Sequence, residues 1–544
     1  MQQWIKSDNW HKAKPLELHA FDGENNPLRK FTPTLQVQYL LRYLSGLKCK
    51  TVICEPHYFD RDYLSEFSEF YSTSARGYPN SCSRLHFFSE SISKEEFVLA
   101  LGDDSQQTDR LKKSYLGFTV IRPIPCAPLG RTVLTWYTDR SDVPQRTKTL
   151  RKYVVHLAGV PLTVYGLAWQ QQDTGVGACA TIALWSALHS SAFDDHHSIP
   201  TTAEVTKIAH KTASLGDRVF PSGGLTASQL LEAIKELNLQ PAMEEGELKD
   251  RRFSKERFGA LCVTFLRSGY PVIVMGRIKG TIDLHAVCVV GFRESPISEV
   301  TPGTVESQGK NTSVLYVHDD NLGPQVRFEI ETFPEDGSAP YVAIRPNSPA
   351  KSLYWGHDPD SDDPTSEYWS LIPEAIAVPM HRNVRTSPSA IGNHAQALGK
   401  FICGLYNAFS TDPIGVSVGS TFFLQKNYLG RVLSQTLKEE PPALLGKVRM
   451  ELIEELTPMS LFVGVVRVWH KGRPLFDVLF DTTDSDRNMP VFGTVIYDAT
   501  IAKLLDPAIV TQTLYRNTGL KSLGTRVHAF VPNSADSSAP TVTN

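Results

Sequence analysis

Several things are scarce in this 544-residue sequence, and each shortage excludes a class of protein. Cysteine is sparse, eight in the whole chain with no CxxC pair. A disulfide framework or a thiolate zinc site would need more cysteines at closer spacing, so a reducing compartment is expected. No apolar run approaches the roughly 18–20 residues that cross a bilayer. The opening stretch "MQQWIKSDNWHKAKP" has no apolar core of the secretory kind. A basic excess is also missing. Lys and Arg total 55 against 58 Asp and Glu, a net charge of −3, which offers no field for nucleic acid or anionic lipid. No internal repeat is visible. What remains is an ordinary globular composition, 41% hydrophobic and 21% charged, in a chain too long for one core. A cytoplasmic, multidomain protein with no membrane contact is the expectation.

The pattern predicts an α+β chain in three units and a tail. Residues 1–150 mix helix and strand signals. "LQVQYLLRYLSGLK" has helical spacing and leads into the apolar strand "TVICEP"; "RDYLSEFSEFY" lines Tyr63, Phe67, Phe70 and Tyr71 along one helix face. Residues 151–375 begin with the strands "YVVHLAG" and "PLTVYGLAW". Helices follow, two of them with Thr201 or Thr202 and Thr226 as caps, and then the strands "GYPVIVMGRI", "LHAVCVVGF", "SVLYVHDD" and "QVRFEI". Helices first and an antiparallel sheet afterwards is an α+β order. Two long polar segments, "SPISEVTPGTVESQGKNTS" and "PEDGSAP…WGHDPDSDDPTSE", read as surface loops or lids. Residues 376–530 form a third α+β unit with a hairpin turning at Lys471-Gly472, and 531–544 a polar, disordered tail.

One stretch, "QQQDTGVGACATIALWSALH", sets Cys179 where a helix begins, behind a loop of amides and glycines. A helix N-terminus stabilises negative charge, so it favours a thiolate. Gly175 and Gly177 allow close approach of a substrate, and an upstream glutamine can add to the Cys179 N–H as an oxyanion donor. The same stretch also fits a small buried residue opening a core helix, so the partners must decide. A base has to come from elsewhere, and "GTIDLHAVCVVGF" offers His285 at the head of an otherwise apolar strand. "SVLYVHDDNLGP" ends the next strand in Asp319, with Asp320 as an alternative. Two successive buried strands thus deliver a His and an Asp at ends that can meet a helix N-terminus.

In these residues the chain resembles the papain-like cysteine peptidases, most closely their bacterial C39-like branch. The order is Gln, then Cys opening a helix, then "HAVCVVGF", then "VHDDNLGP". The resemblance covers about 150–330. It implies a papain-like central domain in which Cys179 is nucleophile, His285 general base and Asp319 the group that orients His285. Gln172 or Gln171 would serve the oxyanion hole. The family's glutamine stands five or six residues before Cys, where this chain has Asp173 at minus six and Gln172 one further. "VGACA" also departs from the family's usual surroundings of the cysteine. The implied activity is a thiol hydrolase acting on a protein or peptide substrate through a thioester, with no cofactor and no metal. A transglutaminase-like acyltransferase or deamidase uses the same triad, and a non-catalytic papain-like scaffold is the reading from a different class. The flanking units offer surfaces for a partner protein.

Other clusters have plainer readings. Cys288 alternates with valines and reads as core. "DDHHS" (194–198) reads as a solvated loop, and Cys54, His57, Asp60, Asp62, Cys82 and His86 lack zinc-ligand spacing.

Overall fold

The computed structural model describes residues 16–31, 34–102, 104–137, 146–173, 178–190, 192–193, 198–211, 224–294, 300–335, 338–347, 370–409, 412–455, 459–483, 491–504 and 527–529. The chain is α+β, and its sheets are built almost wholly from antiparallel pairs. The first sheet is a meander of β1 (Glu17–Ala20), β2 (Thr51–Tyr58), β3 (Cys82–Phe88), β4 (Tyr115–Ile121) and β5 (Leu129–Leu134), in sequence order. Helix Leu35–Gly46, capped by the Thr34 hydroxyl, covers one face with Val37, Leu40, Tyr43 and Leu44. The other face is covered by Tyr63 and Tyr71 from segment 61–71, as the aromatic stripe suggested, and by a hairpin from the next unit. That hairpin is β7 (Arg151–Leu157) with β8 (Val160–Gly166); β6 (Arg146–Lys148) precedes it and pairs elsewhere. The core of the first unit therefore runs past residue 150, because Leu157, Leu162 and Val164 face Phe118 and Val133.

The central sheet closes on itself. Around it run β10 (Val272–Ile278), β11 (Leu284–Glu294), β13 (Thr312–Asp319), β14 (Gly323–Glu335), β15 (Ser338–Pro346) and β16 (Leu371–His381), and β16 pairs again with β10. β6 adds to β11, and β9 (Leu239–Glu245) adds to β16. The helix Cys179–Leu188 lies against β10, β11, β13 and β16, and every residue from Ala180 to Leu188 is buried. A helix apolar all round belongs inside a domain, which is why its sequence lacks an amphipathic period. Helices Thr202–Ala209 and Ala227–Glu236 start on complete capping boxes at Thr201 and Thr226.

The third sheet runs β12 (Val305–Ser307), β17 (Val416–Leu424), β18 (Phe462–His470), β19 (Arg473–Asp481), β20 (Val491–Ile496) and β21 (Val527–Ala529). Lys471 and Gly472 both take positive φ in the β18–β19 turn, which suits a tight hairpin. The polar segment 295–313 was expected to be surface loop, and here the structure differs. Its Val305 to Ser307 pair in parallel with Val416 to Val418 and tie the central unit to the third sheet. One continuous apolar core then spans both, from Trp136 to Ile501. Most of the second polar segment, 348–369, and the tail at 531–544 lie outside the described residues. Among the described residues no helix is long and apolar enough to cross a membrane.

Candidate functional site

Cys179 is the first residue of its helix. Its N-cap is Ala178, which has no side chain to bond the helix N–H groups. The N-cap side chain thus takes none of the helix-start donors, and a helix N-terminus favours negative charge on a thiol placed there. Cys179 is partly exposed, unlike the six buried cysteines. His285 stands second in β11, where it pairs with Gly276 of β10, and it is buried. The antiparallel register joining Cys288 to His318 brings the end of β13 alongside His285. The Asp319 carboxylate lies 3.4 Å from His285 Nε2, and that of Asp320 3.9 Å. The thiol of Cys179 hydrogen-bonds the same imidazole. Three segments 106 and 34 residues apart in sequence thus converge on one ring (285 − 179 and 319 − 285).

Burial alone would lower the affinity of His285 for its proton. The Asp319 carboxylate beside it, helped by Cys179, outweighs that and holds the imidazole well above its usual range. An imidazole so placed takes a proton from sulfur readily. Burial pushes the Asp320 carboxyl up to about 7, with His285 opposing and Asp319 reinforcing the rise. Asp319 Oδ1 also accepts the Asn321 N–H at 2.8 Å, and its carbonyl accepts the Trp169 indole N–H at 2.9 Å. The residue is fixed from two sides, through its carboxylate and its carbonyl.

The glutamines separate clearly. Gln170 donates to buried Glu66 at 2.6 Å. Gln171 is woven into 126–129: its Oε1 accepts the Leu129 N–H and its Nε2 donates to the Cys126 carbonyl. Gln172 is only half-buried and donates to Asn321 Oδ1 at 2.7 Å, which holds its amide beside the Asp-bearing turn. Of the two glutamines named from sequence, Gln172 has the amide available to the cleft. Gly175 and Gly177 lie outside the described residues.

A cleft of about 460 Å³ opens over these groups, lined by Cys179, His285, Gln172 and Asn321 and rimmed by Gln36 and Cys126 from the first unit. The first unit also braces the cleft from beneath. Asp173 turns out to be a structural anchor: Arg122 Nη1 donates to both Asp173 (2.9 Å) and Glu66 (3.0 Å), all three fully buried. Arg122 Nη2 adds the carbonyls of Ala127 and Gln171 at 2.9 Å each. Gln36 Nε2 donates to the Asp320 carbonyl at 3.4 Å, and the Tyr39 ring lies against Gly323, where a Cβ would collide with it. An arginine directly after the apolar strand, in the stretch "GFTVIRPIP", was the one sequence signal for this bracing.

Several donors of the N-terminal cluster are paired with one another or with arginines. Glu55 accepts from His86 and Arg84, and Asp60 pairs with Arg131. Residues 194–197 of "DDHHS" lie outside the described residues. Cys288 is fully buried core. Among the described residues, the set of donors close enough together to hold a metal is His285, Asp319 and Asp320.

Fold and site together define an α+β protein with a cysteine, a histidine and an aspartate aligned at one cleft. Comparison with protein-family models, with curated proteins and with solved structures finds no match for the chain.

Proposed function

We propose that this protein is a thiol hydrolase, a papain-like cysteine peptidase of the C39-like kind, and that it works in the cytoplasm on a protein or peptide substrate. The observation that carries this reading is a partly exposed thiol at a helix N-terminus, hydrogen-bonded to an imidazole that a buried carboxylate holds protonatable. His285 takes the Cys179 proton, and the thiolate attacks the acyl carbonyl. Asp319 keeps Nε2–H directed at itself, which leaves Nδ1 for the sulfur, and it stabilises the imidazolium that forms. The Cys179 backbone N–H and the Gln172 amide stabilise the oxyanion. His285 then protonates the leaving amine, and water enters to release the acid from the thioester.

Intact-mass analysis of the chain mixed with a peptide library tests the proposal. An acyl adduct on Cys179 that forms and decays with release of shorter peptides supports it. Decay only in the presence of added amines, with amide products and no cleavage, would instead assign the triad to acyl transfer. No adduct and no cleavage would leave a scaffold.

A further inference from the structure

The carboxylates behind His285 have more capacity than the triad uses. Asp319 Oδ2 is buried with no hydrogen-bond partner, and the buried oxygens of Asp320 have only the backbone N–H groups of Asp320 and Asn321 nearby, neither in good hydrogen-bond geometry. Exposure is 0% for Asp319, 2% for Asp320 and 5% for His285, so bulk water does not compensate them. Buried carboxylate oxygens without donors are costly unless a proton or a cation meets them. The spacing is informative as well. Separations of 3.4 and 3.9 Å from Nε2 exceed the roughly 2.7–2.9 Å of a charge-assisted N–H···O bond. They approach the distance of about 3.3 Å between ligand atoms that metal bonds of about 2.0–2.1 Å impose on a tetrahedral ion. All three donor atoms lie within 4.8 Å of one another.

We propose that His285 Nε2, Asp319 and Asp320 form a Zn²⁺ site, and that zinc held there switches the thiol off. One imidazole and two carboxylates suit zinc, and they are too few oxygens for calcium. The switching half of the proposal rests on the hydrolase reading; the binding half does not. Zinc takes the Nε2 lone pair, and the single proton of the neutral ring moves from Nε2 to Nδ1, where it faces sulfur. The imidazole then has no lone pair to accept the thiol proton, and Cys179 stays protonated.

Calorimetric titration of the full chain with Zn²⁺ alone is the test, on wild type, Cys179→Ser and Asp320→Asn, with near-ultraviolet circular dichroism reporting the fold of each. The proposal expects one site in wild type and in Cys179→Ser, weakened at least tenfold in folded Asp320→Asn. His285→Gln, which removes the nitrogen ligand, should show the same loss. Saturating zinc should slow iodoacetamide modification of Cys179 at least tenfold, leave exposed Cys126 unaffected and be reversed by a chelator. Equal zinc affinity in wild type and both ligand variants would overturn the site, even if Cys179 is selectively reactive. Zinc binding that depends on Asp320, with Cys179 no more reactive than Cys126 in the metal-free chain, would keep the site and remove the hydrolase reading.

Discussion

At Cys179 two effects add. The helix N-terminus, with no side-chain cap, favours negative sulfur, and His285 offers a base already biased toward its charged form. Asp319 supplies that bias, so Asp319→Asn should cut turnover by at least about a hundredfold, the usual scale of general acid–base assistance, with little change in KM. The two glutamines should part in the same assay. Gln172→Ala is expected to lower kcat about 10²–10³-fold, as loss of an oxyanion donor does. Gln171→Ala should mainly destabilise the fold, by about 1–3 kcal/mol in urea, because it strands the Leu129 N–H. Cys179, His285 and Asp319 were legible in the sequence because each sits at the end of an element with a strong apolar signature. Asn321 and Arg122 were not. Their roles depend on partners 149 and 51 to 56 residues away, and a lone arginine in an apolar stretch names none of its partners.

Among elements, Gln171 and Asp173, ahead of Cys179 in the chain, are held by the first unit through Arg122. Removing one member of a fully buried ion network leaves the others uncompensated, so Arg122→Met should cost about 3–5 kcal/mol in denaturant unfolding. It should also slow reactions at Cys179, six residues beyond Asp173, although Arg122 is no part of the triad. The far end of the Cys179 helix carries a pH dependence. His189 is buried beside Tyr153 and Trp185, and burial, then Arg131 and Arg151, hold its imidazole well below the usual range. It is neutral when folded and takes up a proton near pH 6.5 when unfolded. Its contribution is therefore complete above that pH and lost as the pH falls. Between pH 6.5 and 5 wild type should lose about 2 kcal/mol more stability than His189→Gln, measured as urea midpoints. Capped helices such as 202–209 and 227–236 were visible from sequence. Helix Lys255–Ser268 was not, since its second half, Leu261 to Leu266, is buried without a break and reads as a plain apolar run. Strand β9 hid behind Pro241, which an edge position tolerates.

For the molecule as a whole, the α+β class was legible, whereas the seams between units were not. Composition marks 295–313 as loop, yet β12 within it stitches the central barrel to the third sheet, and the cores fuse there. Hydrogen exchange should show β11, β13, β17 and β18 opening together, in one cooperative unit. Separate protection in β17 and β18 would mean two cores. The first unit acts as a brace: helix Leu35–Gly46 bears on the Asp319–Gly323 turn, and Arg122 on Asp173. Both halves of the site therefore depend on residues outside the central unit. Gly323→Ala should transmit through Tyr39 and cost about 1–3 kcal/mol.

The central claim, that Cys179 is activated rather than merely accessible, is tested most directly by alkylation rates within the one cleft. Cys126 is exposed and Cys179 only partly so. Peptide mass mapping after brief iodoacetamide treatment at neutral pH should find Cys179 modified at least tenfold faster than Cys126, with the advantage gone in His285→Ala. Cys126 reacting first, or a Cys179 rate indifferent to His285, would contradict the account.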